Sequence, residues 1–285
     1  MASQLLSKCR HIDDDETDQH LKRLRSIGYT KIEQGLGPEL VESLLAMVRD
    51  QFERHKNSMA PVPSEWDALW VLNLQNKDKT FIDLLDLPIV VSVMKKMLND
   101  PYFRHLPPED PNYILGQFVA RSSVKPLQLH IDAGMPQPGP ATTMVQLGFV
   151  LEDMDEENGC TLVVPGSHLL GEYSDRELQL QHLHPIPARA GDIVVWDARV
   201  WHGSGANTSP GTRWSIVATF QRWWVKQSFD MPRALPQEIF DQLTDKQKAL
   251  LGFCTIPPVD ENERRTRARP YSDLPARVDD FYRRS

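Results

Sequence analysis

The sequence is poor in cysteine, and the few that it has are not paired. Its three cysteines, Cys9, Cys160 and Cys254, are widely spaced and form no CxxC motif. An odd number without paired spacing argues against a disulfide framework and against a thiolate zinc site. The composition therefore predicts reduced thiols, as in a cytoplasmic protein.

Long apolar runs are also absent. The first residues, MASQLLSKCRHIDDDE, lack the roughly 7 to 15 apolar residues of a secretory signal. No segment approaches the roughly 18 apolar residues of a membrane-spanning helix. We therefore expect a soluble cytoplasmic protein with no membrane partner.

Basic charge is in deficit, because 32 Lys and Arg residues face 39 Asp and Glu residues, for a net charge of -7. A protein that binds nucleic acid usually has the opposite balance or a dense basic face. The one basic cluster, Arg264, Arg265, Arg267 and Arg269, lies among acidic residues, and we expect it to form a solvated or partner-facing tail. Nucleic acid is therefore not expected as a partner.

The distribution of residue types divides the 285 residues into three parts of one predicted domain. Residues 1–112 carry apolar positions at helical spacing, as in the segment that begins at Pro38. Residues 113–224 contain short runs rich in β-branched and aromatic residues, separated by Gly, Pro, Asn and Asp. Residues 225–285 are predicted to form a helical extension and tail, with one helix over 235–251 capped by Thr244 and Gly252. The predicted fold is mainly β with flanking helices: a double-stranded β-helix, or cupin-like jelly roll.

Two histidines and an aspartate form a candidate metal site. Alternation along 127–132 places Gln128, His130 and Asp132 on one face of a strand, and His202 follows a second strand-like run. Two histidines and one carboxylate on one face of an octahedron are typical of non-haem Fe(II) oxygenases, although the same donors accept zinc. An isolated HxD triplet is weak evidence, because His11, Ile12 and Asp13 repeat it in a polar segment that we expect to be solvated.

Arg213 favours the iron interpretation. It opens the run RWSIVATF, in which alternation puts Arg213 and Ser215 on one face and Trp214 and Ile216 on the other. A guanidinium matches a carboxylate in geometry and charge. A dicarboxylic acid could bind the metal at one end and Arg213 at the other.

These motifs resemble the phytanoyl-CoA dioxygenase family of Fe(II)/2-oxoglutarate oxygenases. The resemblance rests on HID at 130–132, ENGCTLVVPGSH at 157–168, WH at 201–202 and Arg213, and it extends over about 28–220. The sequence is similar in particular to the smaller microbial and fungal members that modify secondary metabolites. Related halogenases have a small residue in place of the carboxylate, so Asp132 favours hydroxylation, desaturation or related C–H oxidation.

The resemblance implies a role for each matching position. His130, Asp132 and His202 would bind Fe(II), and Arg213 would bind the distal carboxylate of 2-oxoglutarate, which dioxygen converts to succinate and CO2. Contacts to 2-oxoglutarate are also implied for three polar residues, Gln128, Thr161 and Ser204. Ser215 is a further candidate for such a contact. The substrate would be a small, apolar metabolite, and a homodimer would form through the carboxyl-terminal extension.

Two alternatives stay open. The same fold could hold a metal and a ligand without turnover, as a cupin-like binding or sensor protein. A zinc hydrolase is disfavoured by Arg213 and by the lack of an evident general base. Trp66, Trp70, Trp223 and Trp224 either line an apolar pocket or belong to core and dimer contacts.

Overall fold

The structure is a computed structural model that describes residues 2–57, 68–100, 106–173, 180–258, 260–262 and 269–281. Its α-helices are α1 (Ala2–Leu6), α2 (Asp14–Ser26), α3 (Pro38–His55), α4 (Lys79–Asp83), α5 (Pro88–Leu98), α6 (Met231–Ala234), α7 (Gln237–Phe240) and α8 (Asp245–Leu250). Its strands are β1 (Tyr29–Ile32), β2 (Ala68–Leu72), β3 (Tyr113–Ser123), β4 (Leu127–His130), β5 (Met144–Val150), β6 (Thr161–Val163), β7 (His184–Ile186), β8 (Ile193–Asp197), β9 (His202–Ser204) and β10 (Ser215–Arg222).

The amino-terminal helices begin and end where their local sequence directs. Asp13 caps α2 by accepting a hydrogen bond from the Glu16 amide, so the HxD look-alike is a helix cap. Gly28, with φ +86°, ends this helical segment and turns the chain into β1. Pro38 stands in the first turn of α3, where its missing N–H costs nothing.

The carboxyl-terminal extension differs from the prediction of one helix over 235–251. It forms α6, α7 and α8 instead, because Pro236 precedes α7 and holds Leu235 in extended backbone. Thr244 is confirmed as the N-cap of α8, where it forms a capping box with Gln247. Gly252 follows that helix with φ +95°, as the predicted cap requires.

Two antiparallel sheets form the jelly roll, which confirms the predicted fold class. The larger sheet has the order β1-β8-β5-β10-β3-β2, and the smaller has the order β4-β9-β6-β7. Strands β1 and β2 are the two edges of the larger sheet, and both come from the chain before Tyr113. The sequence analysis had not identified either of them.

The larger sheet packs on both of its faces. Its outer face contacts the helices in the main hydrophobic core, to which Trp214, Ile216, Ala218 and Phe220 contribute. Its inner face meets the smaller sheet in a second cluster that includes Cys160, Val163 and Trp196. The alternation predicted for the strand after Arg213 is therefore confirmed, although β10 begins at Ser215.

The final described segment packs against the body of the protein. Arg269 is buried, and its amide donates to the Cys254 carbonyl at 2.6 Å. The Tyr271 hydroxyl donates to Asp110. The expectation of a solvated basic tail was therefore wrong for Arg269, while Arg264, Arg265 and Arg267 lie outside the described residues, as does Trp66.

All three cysteines are buried with free thiols. Among the described helices, none has the length and apolar character needed to cross a membrane.

Candidate functional site

His130 and Asp132 enter the site at the end of β4. This strand ends at His130, two residues before the predicted limit, and its register with β9 shifts between Leu127 and His130. The amides of Asp132 and Ala133 both donate to the carbonyl of Ala198, at 2.9 and 3.0 Å. These two hydrogen bonds fix the Asp132 backbone beside the β8–β9 turn.

His202 opens β9 directly opposite His130. The two residues are register partners, and His202 also faces Val163 of β6. Their ring centroids are 4.3 Å apart. Antiparallel pairing thus places the two imidazoles side by side on the smaller sheet.

The three predicted ligands converge on one point. Asp132 lies between the histidines, with one carboxylate oxygen 3.4 Å from His130 Nε2 and the other 3.2 Å from His202 Nε2. One donor atom from each residue lies within 4.8 Å of the others. Two imidazole nitrogens and a carboxylate oxygen at this spacing could hold one divalent metal ion.

Backbone carbonyls orient both imidazoles. Nδ1–H of His130 donates to the Gln128 carbonyl at 2.8 Å, and Nδ1–H of His202 donates to the Val200 carbonyl at 3.0 Å. With Nδ1 protonated, the neutral ring has its lone pair on Nε2. In the neutral rings, both Nε2 lone pairs therefore point towards Asp132, where they are available to bind a metal ion.

The surroundings of Asp132 favour its ionised form. Burial acts to raise the pKa of Asp132, but the neighbouring His202 and His130 outweigh burial and hold that pKa well below its usual range. Burial acts to lower the pKa of His130, and the hydrogen bond and charge of Asp132 outweigh it and raise that pKa. The carboxylate is therefore ionised, as a metal ligand must be.

Arg213 is buried without an acidic partner. It has 3% of its surface exposed, and its amide donates to the Ser122 hydroxyl. Its Nε and Nη2 atoms are buried and bond to no group of the described residues. Burial, reinforced by the charge of Arg121, lowers the pKa of Arg213 to about 10. An unsatisfied buried guanidinium is costly, so this position is suited to an anionic ligand.

The other predicted contacts occupy different environments. Thr161, which is half-buried, and Ser204, which is buried, are register partners in β6 and β9. The Ser204 hydroxyl accepts a hydrogen bond from the Leu127 amide and so ties β4 to β9. Ser215 is buried opposite Arg121, whereas the side chain of Gln128 is exposed.

Sequence reasoning overlooked Trp196, Gln146 and Arg121 on the inner face of the larger sheet. The ring of Trp196 lies 5.5 Å from that of His202, and Thr219 donates to the Gln146 amide oxygen. Arg121 is the one charged residue of the otherwise uncharged run YILGQFVARSS. Period-two alternation places it with Gln117 and Val119, so the signal was present in the sequence.

A buried ion pair supports the loop that follows Asp132. Both oxygens of Asp197 accept from the Arg199 guanidinium, and both side chains are almost fully buried. Arg199 also donates to the carbonyls of Gln137 and Gly139. This pair connects the β8–β9 turn to the loop that runs from Asp132 to β5.

Comparison with known proteins identifies a family match and several relatives. Residues 24–215 match the model of the family described as phytanoyl-CoA dioxygenase (PhyH). An uncharacterized protein of Mycobacterium tuberculosis, Rv1501, is 30% identical over 83% of this chain and 86% of its own length. The dioxygenase af480 of Aspergillus fumigatus is 29% identical over 65% of this chain and 59% of its own length.

Solved structures share the fold. The epimerase SnoN, crystallised with Fe3+, alpha-ketoglutarate and nogalamycin RO, superposes with a TM-score of 0.60 at 23% identity, over 73% of this chain and 84% of that one. The carbocyclase SnoK of nogalamycin biosynthesis gives a TM-score of 0.58 at 18% identity, over 74% of this chain and 84% of that one. With the match to the family model over 24–215, the chain belongs to the phytanoyl-CoA dioxygenase (PhyH) family, whose members are non-haem iron oxygenases that use Fe(II), 2-oxoglutarate and dioxygen.

Proposed function

We propose that this enzyme oxidises a C–H bond of a small, largely apolar metabolite while 2-oxoglutarate is converted to succinate and CO2. In this proposal His130, Asp132 and His202 bind Fe(II), and Arg213 binds the distal carboxylate of 2-oxoglutarate. The observation that carries it is the pairing of three convergent donors with a buried guanidinium that has no acidic partner among the described residues.

The donor set fits ferrous iron. The candidate ligands are two imidazole Nε2 atoms and one carboxylate oxygen. Among the described residues, no thiolate belongs to this group. Three protein ligands leave coordination positions for a co-substrate. Arg213 supplies the fork of N–H donors that a carboxylate accepts, and its desolvation strengthens that pairing.

When bound, iron(II) and 2-oxoglutarate would supply the oxidation, because decarboxylation of the keto acid would drive the reduction of dioxygen. The protein residues bind and orient. The Gln128 and Val200 carbonyls hold the imidazoles in the tautomer that presents Nε2. The Ala198 carbonyl holds the Asp132 backbone, and the indole of Trp196 lies 5.5 Å from the His202 ring. Thr161 and Ser204 are register partners, and each is proposed to offer a hydroxyl contact to the co-substrate; Ser204 keeps its O–H for this because its oxygen only accepts from the Leu127 amide.

The substrate is proposed to be a small molecule with an apolar body. Val119, Trp196 and Val217 give the inner face of the larger sheet an apolar surface. The related fungal proteins are described as dioxygenases, and the structural neighbours include an epimerase and a carbocyclase. We therefore propose C–H oxidation as the reaction class, with hydroxylation and desaturation as two of its forms.

An anaerobic titration tests this function. Wild-type protein should bind Fe(II) and then 2-oxoglutarate, and on exposure to oxygen it should form succinate that increases with the right substrate. His130→Ala and Asp132→Ala should lose iron binding and succinate formation while they keep the circular dichroism spectrum of the wild type. His184→Ala, an exposed histidine, is the matched control and should behave as wild type.

Two results would contradict the proposal. Wild-type activity in either ligand variant would refute the metal assignment. Binding of both Fe(II) and 2-oxoglutarate without any succinate, across a broad panel of candidate substrates, would favour the sensor alternative.

A further inference from the structure

Arg121 presents a second guanidinium to the interior of the jelly roll. It is the register partner of Ser215 in β10 and of Trp70 in β2, so all three side chains lie on the inner face of the larger sheet. Its guanidinium carbon lies 4.9 Å from the centroid of the Trp70 ring, and Nη2 donates to the Ser123 hydroxyl at 2.6 Å. The indole and the hydroxyl fix the guanidinium in one orientation.

No acid neutralises this guanidinium among the described residues. Within that part of the chain, no carboxylate forms an ion pair with Arg121. Burial lowers the pKa of Arg121, and the charge of Asp132 opposes that effect. Asp132 is itself committed to His130 and His202, so it does not serve as a direct partner. Arg121 therefore remains a partly buried cation with donors to spare.

The charges of the proposed site leave the positive charge of Arg121 unbalanced. With Fe(II) and 2-oxoglutarate bound, Asp132 and one carboxylate of 2-oxoglutarate would balance the two charges of Fe(II), and the distal carboxylate would balance Arg213. One positive charge then remains, on Arg121. Arg121 also acts on Arg213, since its charge contributes to the lowered pKa of that residue. A further anion would relieve this repulsion.

Arg121 is also accessible, unlike Arg213. Its side chain is of intermediate exposure, whereas Arg213 has 3% of its surface exposed. Trp70 belongs to β2, which is an edge of the larger sheet. A molecule that enters beside this edge would meet the indole face and the guanidinium together. An apolar body with one acidic group matches that pair of surfaces.

We propose that Arg121 is a specificity-determining residue that binds an acidic group, a carboxylate, on an otherwise apolar primary substrate. The inference rests on the proposed function, and it narrows the substrate class from apolar metabolites to apolar acids. Trp70 holds the guanidinium in position and contacts the apolar part of the same molecule. A planar carboxylate accepts two hydrogen bonds from the fork of Arg121.

Matched acids and amides test the proposal on the whole protein loaded anaerobically with Fe(II) and saturating 2-oxoglutarate. The probes are octanoate, 4-phenylbutanoate and 2-naphthoate, each compared with its primary amide. Binding is followed by calorimetry and by the change in the visible absorption of the Fe(II)–2-oxoglutarate complex. The proteins are wild type, Arg121→Gln, Arg121→Lys and Arg54→Gln, a control that removes an exposed guanidinium paired with Asp50.

We expect at least one acid to bind wild type and Arg54→Gln about tenfold more tightly than its amide. Arg121→Gln should reduce this preference to about twofold or less, with 2-oxoglutarate affinity unchanged within about twofold. Arg121→Lys should keep part of the preference, because it keeps the charge but loses the fork. This conservative variant provides the test if Arg121→Gln does not fold.

Three outcomes would overturn the inference. Wild type could prefer no acid over its amide, or the preference could survive in Arg121→Gln. A loss of about tenfold or more in 2-oxoglutarate affinity in Arg121→Gln would instead assign Arg121 to the co-substrate. Failure of wild type to form the Fe(II)–2-oxoglutarate complex would refute the proposed function itself, and this result is distinguishable because it precedes addition of any acid.

Discussion

Asp132 and His202 are seventy positions apart in the chain, yet a carboxylate oxygen of Asp132 lies 3.2 Å from His202 Nε2. The hydrogen bonds from the Asp132 and Ala133 amides to the Ala198 carbonyl produce this proximity. The metal donor set therefore depends on the turn between β8 and β9 as much as on the ligands themselves.

Arg213→Met should weaken 2-oxoglutarate binding at least about a hundredfold, because two charge-assisted hydrogen bonds are lost. The same change should leave the metal-free protein as stable as wild type or more so, since it removes a buried charge for which the described residues provide no acidic partner. Calorimetry and thermal unfolding measure the two effects, with Arg54→Met as the control. Equal losses for 2-oxoglutarate and for the substrate would argue against a carboxylate clamp.

Arg199→Met should lower the free energy of unfolding by about 3 to 5 kcal/mol, because it leaves the Asp197 carboxylate buried without its cation. Iron affinity should fall as well, since Ala198 between these residues holds Asp132. The double variant Asp197→Leu/Arg199→Met should be more stable than the sum of the single losses predicts. Urea unfolding of the wild type, the two single variants and the double variant completes this double-mutant cycle. Strictly additive losses of unfolding free energy would show that the pair does not act as a unit.

His168 should make stability depend on pH. Its Nε2–H donates to the Arg25 carbonyl, while Nδ1 is buried and finds no partner among the described residues. Burial lowers the pKa of His168, although the charge of Asp197 opposes it. The unfolded chain therefore binds a proton more readily than the folded protein, and stability is lost as the pH falls below about 6.5.

His168→Gln should reduce this loss, because the amide can donate to Arg25 but does not titrate. The measurement is the difference in unfolding free energy between pH values of about 7.5 and about 5. His184→Gln changes an exposed histidine and serves as the control. An unchanged pH dependence in His168→Gln would contradict the role assigned to this imidazole.

Gly159→Ala should destabilise the protein more than Gly166→Ala. Both glycines have positive φ, +79° and +81°, so the backbone strain is matched. A Cβ on Gly159 would lie 2.8 Å from the Ala206 carbonyl carbon, whereas a Cβ on Gly166 meets no atom within 4 Å. We expect about 1 kcal/mol for Gly166→Ala and at least about 1 kcal/mol more for Gly159→Ala, measured by urea unfolding. Equal losses would mean that backbone strain alone requires glycine at 159.

Local sequence was sufficient to predict much of the fold. The jelly roll, the caps at Thr244 and Gly252 and the two faces of the strand after Arg213 all follow from residue periodicity and turn chemistry. The helix predicted over 235–251 was wrong because apolar spacing outweighed Pro236 in the prediction. Strands β1 and β2 were missed because they are short edges whose pairing partners are distant in sequence.

The sequence by itself determined the family, the fold class and a set of residue types with the right chemistry, because these depend on motif order and on periods of two and 3.6 residues. Only the tertiary structure decided which polar groups have partners. Within the described part of the chain, Arg213 is buried without an acidic partner, Arg121 lies against Trp70, and Ser204 bonds to the backbone. Such pairing depends on contacts across two sheets, and no local pattern in the chain encodes those distances.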